Sequence, residues 1–269
     1  MRRGQGRPGA PEIVAVAGDA DLERRFGALR RLHGDDGYAR IRGAHVAVVG
    51  LGGVGSWAAE ALARSGVGAL TLIDLDHVAE SNINRQVQAL GATVGQHKGE
   101  ALRARIADIH PGCAVTVVDA FVEPGNWPAL LPAPVGALID ACDQVRAKAA
   151  LAAWALALAL PAVCVGAAGG KRQAQAVEVQ DLAETTHDPL LASLRQRLRK
   201  EGAAPRQGRI GLRAVYSRES VRAPDALCAG EQAGDGTLNC HGYGSSVMVT
   251  ATFGMVAAGE AIAQLVAPR

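Results

Sequence analysis

Short apolar runs alternate with longer amphipathic stretches along most of the chain. Runs of Val, Ile, Leu and Ala predict buried strands, and stretches with apolar residues every three or four positions predict helices. The predicted strands are 45–49, 69–73, 114–119, 135–140 and 162–165, and the predicted helices are 54–65, 97–109, 125–131 (short) and 144–159. This alternation predicts an α/β fold with a doubly wound, mostly parallel, Rossmann-like sheet.

The pattern changes after Gly169 and Gly170. A stretch of alternating polar and apolar residues (173–180), a helix (188–200) and a strand (211–217) predict an antiparallel C-terminal extension. A glycine-rich loop (229–244) precedes a final apolar helix at about 245–265. We therefore predict a disordered leader (1–21), a nucleotide-binding core (22–170) that starts with an arginine-rich helical segment, and an extension (171–269).

Two uncharged stretches are long enough to raise the question of membrane insertion. Pro161 interrupts residues 149–170, and Gly, Ser and Thr dilute the apolar residues of 242–259. We interpret both stretches as buried elements of a soluble fold and expect no membrane insertion.

The five cysteines include no Cys-x-x-Cys pair. This cysteine usage predicts a reducing, cytoplasmic location and argues against a structural zinc site.

Candidate chemistry begins at the sequence GLGGVGS, residues 50–56, between the first predicted strand and the first helix of the core. A glycine-rich turn at this place lets backbone N–H groups and a helix N-terminus approach a phosphate. We assign nucleotide binding to Gly50, Gly52, Gly53, Gly55, Ser56, Asp74 and Asp76. Asp74 ends the second strand, where an acid accepts hydrogen bonds from ribose hydroxyls. These features serve NAD and ATP equally well.

The residues that follow favour a triphosphate. Asn82, Arg85 and Gln86 lie just past the second strand, and Lys98 begins the next helix. Arg offers a planar fork of donors and Lys a compact charge, and both stabilise the charge of a departing pyrophosphate. A nicotinamide cofactor needs no such set. The alternative for Arg85 and Lys98 is ordinary exposure on a charged surface.

Two carboxylates follow the fourth strand in the sequence Asp140-Ala-Cys-Asp143. The carboxyl ends of parallel strands face the ligand crevice of such sheets. Mg²⁺ usually takes one or two carboxylates plus phosphate oxygens, so we assign Asp143 to the metal and Asp140 to nucleotide binding. Asp143 is equally suited to cap the helix that follows, and the two roles are compatible.

Taken in order, GLGGVGS, LIDLD, NINRQ, Lys98 and DACD resemble the ubiquitin-activating-enzyme-like adenylating family, which includes the sulfur-carrier-protein adenylyltransferases. The resemblance implies that a carboxylate attacks the α-phosphate of ATP. It also implies that Asp74 binds ribose, that Asn82, Arg85 and Lys98 bind the phosphates, and that Asp143 binds Mg²⁺. The family acts as a homodimer in which an N-terminal arginine reaches the partner's ATP site. Arg25 is the best match for that arginine and Arg31 the second.

The second half of the chain narrows the resemblance. Residues 181–200, 228–232 and 239–262 are similar to the branch of the family that dehydrates threonylcarbamoyladenosine in tRNA. That branch implies ATP-dependent cyclisation of a threonine carboxylate beside the anticodon. One alternative is a sulfur-carrier adenylyltransferase, although such enzymes carry zinc-binding cysteine pairs in this region. The other is a non-catalytic ATP-binding scaffold for sulfur transfer.

A basic segment supports an RNA partner. Residues 195–222 contain nine Lys and Arg against two Glu, which gives this segment a charge of +7 although the whole chain carries only +2. We predict that the segment contacts the phosphates of the anticodon stem-loop. The alternative is a solvated surface loop.

The cysteines are the least decisive candidates. Cys240 lies in the glycine-rich loop before the last helix, where a helix N-terminus would favour its thiolate, so we include it among the catalytic candidates. Burial is the alternative. The resemblance implies a cysteine desulfurase as a further partner. We expect Cys113, Cys142 and Cys164 to pack in the core, and His187 and His241 to be structural or to contact RNA.

Overall fold

The computed structural model describes residues 21–222 and 243–268. Its strands are β1 (His45–Val49), β2 (Ala69–Ile73), β3 (Ala114–Val118), β4 (Ala137–Asp140), β5 (Ala162–Val165), β6 (Val177–Asp181) and β7 (Arg213–Ser217). They form one sheet in the order β3-β2-β1-β4-β5-β7-β6. Every neighbouring pair is parallel except β6 and β7, which are antiparallel. The predicted α/β class and mostly parallel sheet are confirmed.

Helices cover both faces of this sheet. They are α1 (Leu22–Phe26), α2 (Ala28–Gly43), α3 (Gly55–Arg64), α4 (Lys98–Ile109), α5 (Val145–Ala157), α6 (Pro189–Lys200) and α7 (Val247–Val266). Helices α2, α3, α4 and α7 pack on one face, and α5 and α6 pack on the other. Because the central strands are buried on both sides, they are almost uninterrupted apolar runs.

Two predicted elements differ from the structure. The short helix predicted near 125–131 is wrong, because residues 124–130 form turns. Pro128 lies in the middle of this stretch and has no N–H to donate to a helical hydrogen bond. The N-terminal helical segment is two helices, and the second continues to Gly43 with a break at Gly34, where φ is +71°.

The C-terminal part of the chain completes the same sheet. Strand β7 lies parallel to β5, and α7 packs against α3 and α2. The contact between α7 and α3 is close at Gly254, where an added Cβ would lie 2.5 Å from the Val54 carbonyl oxygen. Within the part of the chain that the structure describes, α7 alone is long and apolar enough to cross a membrane, and 44% of its most apolar window is buried.

Asp181 stabilises the long connection between α6 and β7 through hydrogen bonds. Its buried carboxylate accepts hydrogen bonds from the N–H groups of Ala183 (2.9 Å), Ile210 (3.0 Å) and Gly211 (2.7 Å). Burial raises the pKa of this carboxyl, but the three N–H donors and Arg209 outweigh burial and hold it below its usual value. The ionised form is therefore the stabilising one.

We expect Asp181→Asn to lower the free energy of unfolding by about 2 kcal/mol at pH 7, because an amide replaces the acceptor of charge-assisted hydrogen bonds. A lowered pKa contributes stability above the unfolded-state value, so the loss should fade as the pH falls below about 4. Urea unfolding at several pH values measures this. Glu201→Gln, which removes an exposed partner of Arg197, is the control and should change stability by less than about 1 kcal/mol. A pH-independent effect of Asp181→Asn would contradict the prediction.

Candidate active site

The sheet changes winding direction between β1 and β4, which are neighbours. From this pair the sheet extends through β2 and β3 on one side and through β5, β7 and β6 on the other. In open α/β sheets a ligand crevice lies at such a point, outside the carboxyl ends of the strands. The glycine turn after β1, Asp74 after β2 and the segment 140–143 after β4 all lie at this edge.

The glycine turn is pressed against the end of β4. Gly50 has a φ of +83°, and an added Cβ would lie 2.9 Å from the carbonyl oxygen of Ala141 and the nitrogen of Cys142. A Cβ on Gly55 would overlap the carbonyl oxygen of Gly50. By contrast, a Cβ on Gly52 would meet no atom within 4 Å. The turn therefore needs glycine at its two anchored positions and presents Gly52 to open space.

Asp74 holds the turn from the side of β2. One carboxylate oxygen accepts the Leu51 N–H at 2.6 Å, and the other accepts the Asp76 N–H at 2.8 Å. Each oxygen keeps a second lone pair for a ribose hydroxyl. Asp76 in turn pairs with the Lys98 ammonium at 2.6 Å. Lys98 is buried while Asp76 is half exposed, so the pair holds the Lys98 ammonium in place beside the crevice.

The segment after β2 places Arg85 over the glycine turn. The aliphatic part of the Arg85 side chain would lie 3.2 Å from a Cβ added to Gly53. The Arg85 guanidinium donates hydrogen bonds to the Ser81 carbonyl oxygen and to the side-chain oxygen of Asn84. Asn82 accepts the Ala79 N–H at 3.0 Å, which folds the segment onto itself. Arg85 is therefore near the phosphate turn, and Asn82 shapes the backbone that carries it.

Buried polar groups behind the turn support it. Gln88 donates from Nε2 to the Leu51 carbonyl oxygen at 3.0 Å and to Gln86 Oε1 at 3.2 Å. The hydroxyl of Ser56 is buried and lies 3.4 Å from the Val87 nitrogen. We therefore expect Ser56 and Gln86 to brace the turn more than to touch a nucleotide. Gln88 was not among the residues predicted from the sequence, where its signal is a glutamine within the otherwise apolar run VQAL.

Asp140 is buried in an ion pair at the end of β4. Its carboxylate lies 3.0 Å from the Lys148 ammonium, which is fully buried and also donates to the Cys142 carbonyl oxygen at 3.0 Å. Burial opposes the charge of Lys148, but Asp140 outweighs burial and raises the pKa of this lysine to about 12. The direct nucleotide contact assigned to Asp140 does not fit this burial. Asp140 and Lys148 instead shape the turn that ends at Asp143. Lys148 was not among the residues predicted from the sequence.

Asp143 is exposed at the crevice. The helix α5 begins after Gln144, which makes no side-chain cap, so the capping alternative for Asp143 is wrong. No group of three or more His, Cys, Asp or Glu suited to a metal occurs within residues 21–222 and 243–268. Mg²⁺ does not need such a group, because one carboxylate and phosphate oxygens are enough. Asp143 forms no ion pair with another described residue, so its carboxylate beside the phosphate turn fits that ion.

Arg25 lies far from the nucleotide turn of its own chain. It donates to the carbonyl oxygens of Asp108 (2.6 Å) and Ile109 (2.7 Å), at the C-terminal end of α4. Lys98 begins the same helix, about 16 Å away along its axis. Arg31 is exposed. Entry of either arginine into a partner's site stays a prediction.

The described cysteines pack as expected. Burial raises the pKa of Cys113 to about 11 and that of Cys164 to about 12, and it also raises the pKa of Cys142. All three are therefore thiols, not thiolates, at neutral pH. Cys240 and His241 lie outside the described residues.

Much of the charge of the basic segment is neutralised locally. Within 4.0 Å of a carboxylate lie Arg197 (Glu201), Arg209 (Asp181), Arg213 (Glu260), Arg218 (Glu178) and Arg222 (Glu219). Three of these carboxylates belong to β6 and α7, outside the segment. Arg195 donates to the carbonyl oxygens of Leu182 and Thr185. The segment therefore presents a weaker positive surface than its net charge indicates.

The family model described as the ThiF family matches residues 24–268. The chain therefore belongs to the ThiF family. It is 44% identical over 263 residues to the tRNA threonylcarbamoyladenosine dehydratase of Escherichia coli (strain K12), covering 95% of this chain and 98% of that relative. The dehydratase of the same name from Haemophilus influenzae is 39% identical and covers 94% and 97%. The resemblance seen in the sequence is confirmed.

The similarity extends to three dimensions. The crystal structure of the E. coli tRNA N6-threonylcarbamoyladenosine dehydratase in complex with ATP matches with a TM-score of 0.81 and 42% identity. The match covers 91% of this chain and 96% of that one. It therefore includes both the nucleotide half and the C-terminal part.

Proposed function

We propose that the protein is an ATP-dependent enzyme that dehydrates threonylcarbamoyladenosine in tRNA. One observation carries the proposal: the similarity to named tRNA threonylcarbamoyladenosine dehydratases covers nearly the full length of both proteins. The crevice agrees with it, because the glycine turn, Arg85 and Lys98 lie together at the carboxyl edge of the sheet. The solved relative in complex with ATP supports ATP as the nucleotide.

The chemistry needs an activated acid. The threonine carboxylate of the modified base is a poor electrophile, because oxide is a bad leaving group. Attack of a carboxylate oxygen on the α-phosphorus of ATP forms an acyl-adenylate and expels pyrophosphate. A nucleophilic atom of the same substituent then attacks the acyl carbon, loses its proton and expels AMP. The oxygen removed from the acid leaves with AMP, so the tRNA loses one water overall. Ring closure within one substituent is fast because no second molecule must be bound.

Each residue of the crevice has a role in this reaction. The N–H groups of the glycine turn and the charges of Arg85 and Lys98 stabilise the pyrophosphate as its charge develops. Asp74 accepts hydrogen bonds from the ribose hydroxyls and so aligns the α-phosphate. Asp143 would hold Mg²⁺, which when bound neutralises charge on the phosphate oxygens. Lys148 and Asp140 keep the Asp143 turn in place.

The two alternatives have less support. A sulfur-carrier adenylyltransferase would be expected to carry paired zinc cysteines, and the sequence contains no Cys-x-x-Cys pair. A non-catalytic scaffold would have no use for a buried Lys98 that an ion pair with Asp76 holds beside the crevice. The proposal includes five further parts. They are contact of the basic segment with the anticodon stem-loop, a homodimer completed by Arg25, a catalytic thiol at Cys240, a cysteine desulfurase partner and a cytoplasmic location.

Nucleoside mass spectrometry tests the function directly. Protein incubated with ATP, Mg²⁺ and tRNA that carries threonylcarbamoyladenosine should convert this nucleoside to a product lighter by one water. The conversion should release AMP and pyrophosphate. Omission of ATP is the control. Unchanged nucleoside after incubation with fully modified tRNA would contradict the proposal.

A further inference from the structure

An open groove lies two strands away from the nucleotide crevice, at the same edge of the sheet. Its volume is about 380 Å³, within the range of small-molecule sites. Residues 185–189, at the start of α6, line one side together with Ala192 and Arg195, and Ser220 and Val221 line the other. We propose that this nucleoside groove receives the modified adenosine of tRNA and directs its carboxylate toward Asp143. The inference rests on the proposed function, because it names where that substrate binds.

A buried lysine fixes both walls of the groove. Lys171 donates from its ammonium to the carbonyl oxygens of His187 (3.3 Å), Ser217 (2.9 Å) and Glu219 (3.1 Å). Asp188 ties the first wall to the end of β5, because its carboxylate accepts the N–H groups of Ala167 and Leu191. These ties mean that the groove keeps its shape without a ligand.

The first wall holds an exposed imidazole in an unusual backbone conformation. His187 has a φ of +56°, in the left-handed region that residues other than glycine rarely adopt. The Lys171 contact to its carbonyl oxygen holds it there, and its Nδ1 lies 3.0 Å from the Thr186 hydroxyl. Strained residues of this kind concentrate at functional sites. Histidine rings stack on unpaired bases, and hydroxyl groups bind base edges, so this wall is suited to a nucleobase.

Two arginines lie beside the opening of the nucleoside groove, where they can contact RNA phosphates. A second groove of about 470 Å³ shares Ser220 with the nucleoside groove, and Arg218 and Arg222 line it. The carboxylate of Glu219 also lines it, but one of its oxygens is held by the N–H groups of Arg172 and Gln173. Arg218 also pairs with Glu178, and Arg222 lies 4.0 Å from Glu219, so a polyanion that carries a base into one groove would meet two guanidinium donors in the next but little net positive charge.

Distance and side-chain size connect the groove to the crevice. Strand β5 separates β4 from β7, so the ends of β4 and β7 are about 10 Å apart at the edge of the sheet. Residues 166–170, which follow β5, are Gly-Ala-Ala-Gly-Gly, and no side chain among them exceeds a methyl group. The threonylcarbamoyl substituent spans about 6 Å by peptide geometry. The substituent therefore covers a little over half of the spacing between β7 and β4, so the base must lie on the β5 side of the groove for its carboxylate to approach Asp143.

Filling the groove tests the proposal. Ala192→Phe puts a ring into it, and Ser193→Phe puts the same ring on the exposed neighbour that does not line it. We expect Ala192→Phe to raise the KM for modified tRNA about tenfold or more, with kcat, ATP affinity and Tm much less affected. It should also weaken binding of an anticodon stem-loop RNA that carries the modification. Ser193→Phe should leave all five quantities near wild type, and equal KM values for the two variants would overturn the proposal.

A second variant removes the imidazole without straining the backbone. His187→Gly places glycine where φ is positive, so Tm should be unchanged or higher. Loss of a stacking ring should still weaken binding of the same RNA about tenfold. Wild-type RNA affinity in both His187→Gly and Ala192→Phe would overturn the groove as the RNA site. If the wild-type protein bound this RNA but dehydrated none, the proposed function would fail, and the RNA-binding comparison would still decide the groove.

Discussion

Replacing Asp143 with Asn is expected to lower the rate of ATP-dependent dehydration about a thousandfold while tRNA binding stays at the wild-type level. The Asp143 carboxylate is exposed beside the phosphate turn and does not cap α5. An amide keeps the size of the side chain but loses the charge that would hold Mg²⁺, and a lost metal contact removes several kcal/mol of transition-state stabilisation. Single-turnover rates with excess enzyme measure the effect on the chemical step.

Two comparisons make this result specific. A Mg²⁺ titration of ATP affinity should show that the variant needs more Mg²⁺ than the wild type, while its free energy of unfolding changes by less than about 0.5 kcal/mol. Asp36→Asn, an exposed carboxylate in α2, is the matched control and should change neither the rate nor the Mg²⁺ requirement. A rate within threefold of wild type for Asp143→Asn would remove the metal role from this residue.

Lys148→Met is expected to lower the free energy of unfolding by about 3–5 kcal/mol, the usual cost of leaving one member of a buried ion pair alone. Asp140 would then be buried without its cation, and the carbonyl oxygens of Asp140 and Cys142 would lose a donor. We also expect a large loss of turnover, because the same ammonium shapes the turn that carries Asp143. Urea unfolding and single-turnover rates give the two quantities separately.

The double variant Lys148→Met with Asp140→Leu separates folding from function. Removing both charges should recover most of the lost stability, since buried ion pairs are often no better than well-packed apolar residues. Turnover should stay low, because the turn would still lack its ties. Arg64→Met, which removes a half-exposed partner of Glu60, is the control and should cost less than about 1 kcal/mol. Wild-type turnover in the double variant would show that the pair serves folding alone.

Most of the sheet was predictable because its strands are buried on both faces. A strand of this kind is a continuous apolar run, and each run was bounded by Gly, Pro or charged residues, so the ends of β1, β2 and β5 agree with the prediction. The stretch near 125–131 has suitable apolar spacing, but prolines remove helical donors there. The antiparallel direction of β6 was also predictable, whereas the parallel pairing of β7 with β5 depends on a long connection that carries no local signal.

The candidate site was predictable where function depends on residue type and order, and less so where it depends on packing. The glycine turn, Asp74, Lys98 and Asp143 follow from their places after strands. The pairing of Asp140 with Lys148 and the contact of Gln88 with Leu51 depend on side-chain directions that only the folded chain defines. The positive surface of the basic segment was overestimated for the same reason, because Glu178, Asp181 and Glu260 lie outside the segment and pair with its arginines only in the folded chain.

Close packing at Gly254 makes the phosphate turn depend on a part of the chain that is synthesised much later than the turn itself. The N-terminus of α3, which begins at this turn, rests on α7, about 200 residues further along the chain. A nascent chain that ends before α7 would leave that turn without its backing and would bind nucleotide poorly. We therefore expect nascent chains that lack α7 to be inert toward ATP, so that nucleotide chemistry begins only after the C-terminal part of the sheet has been added.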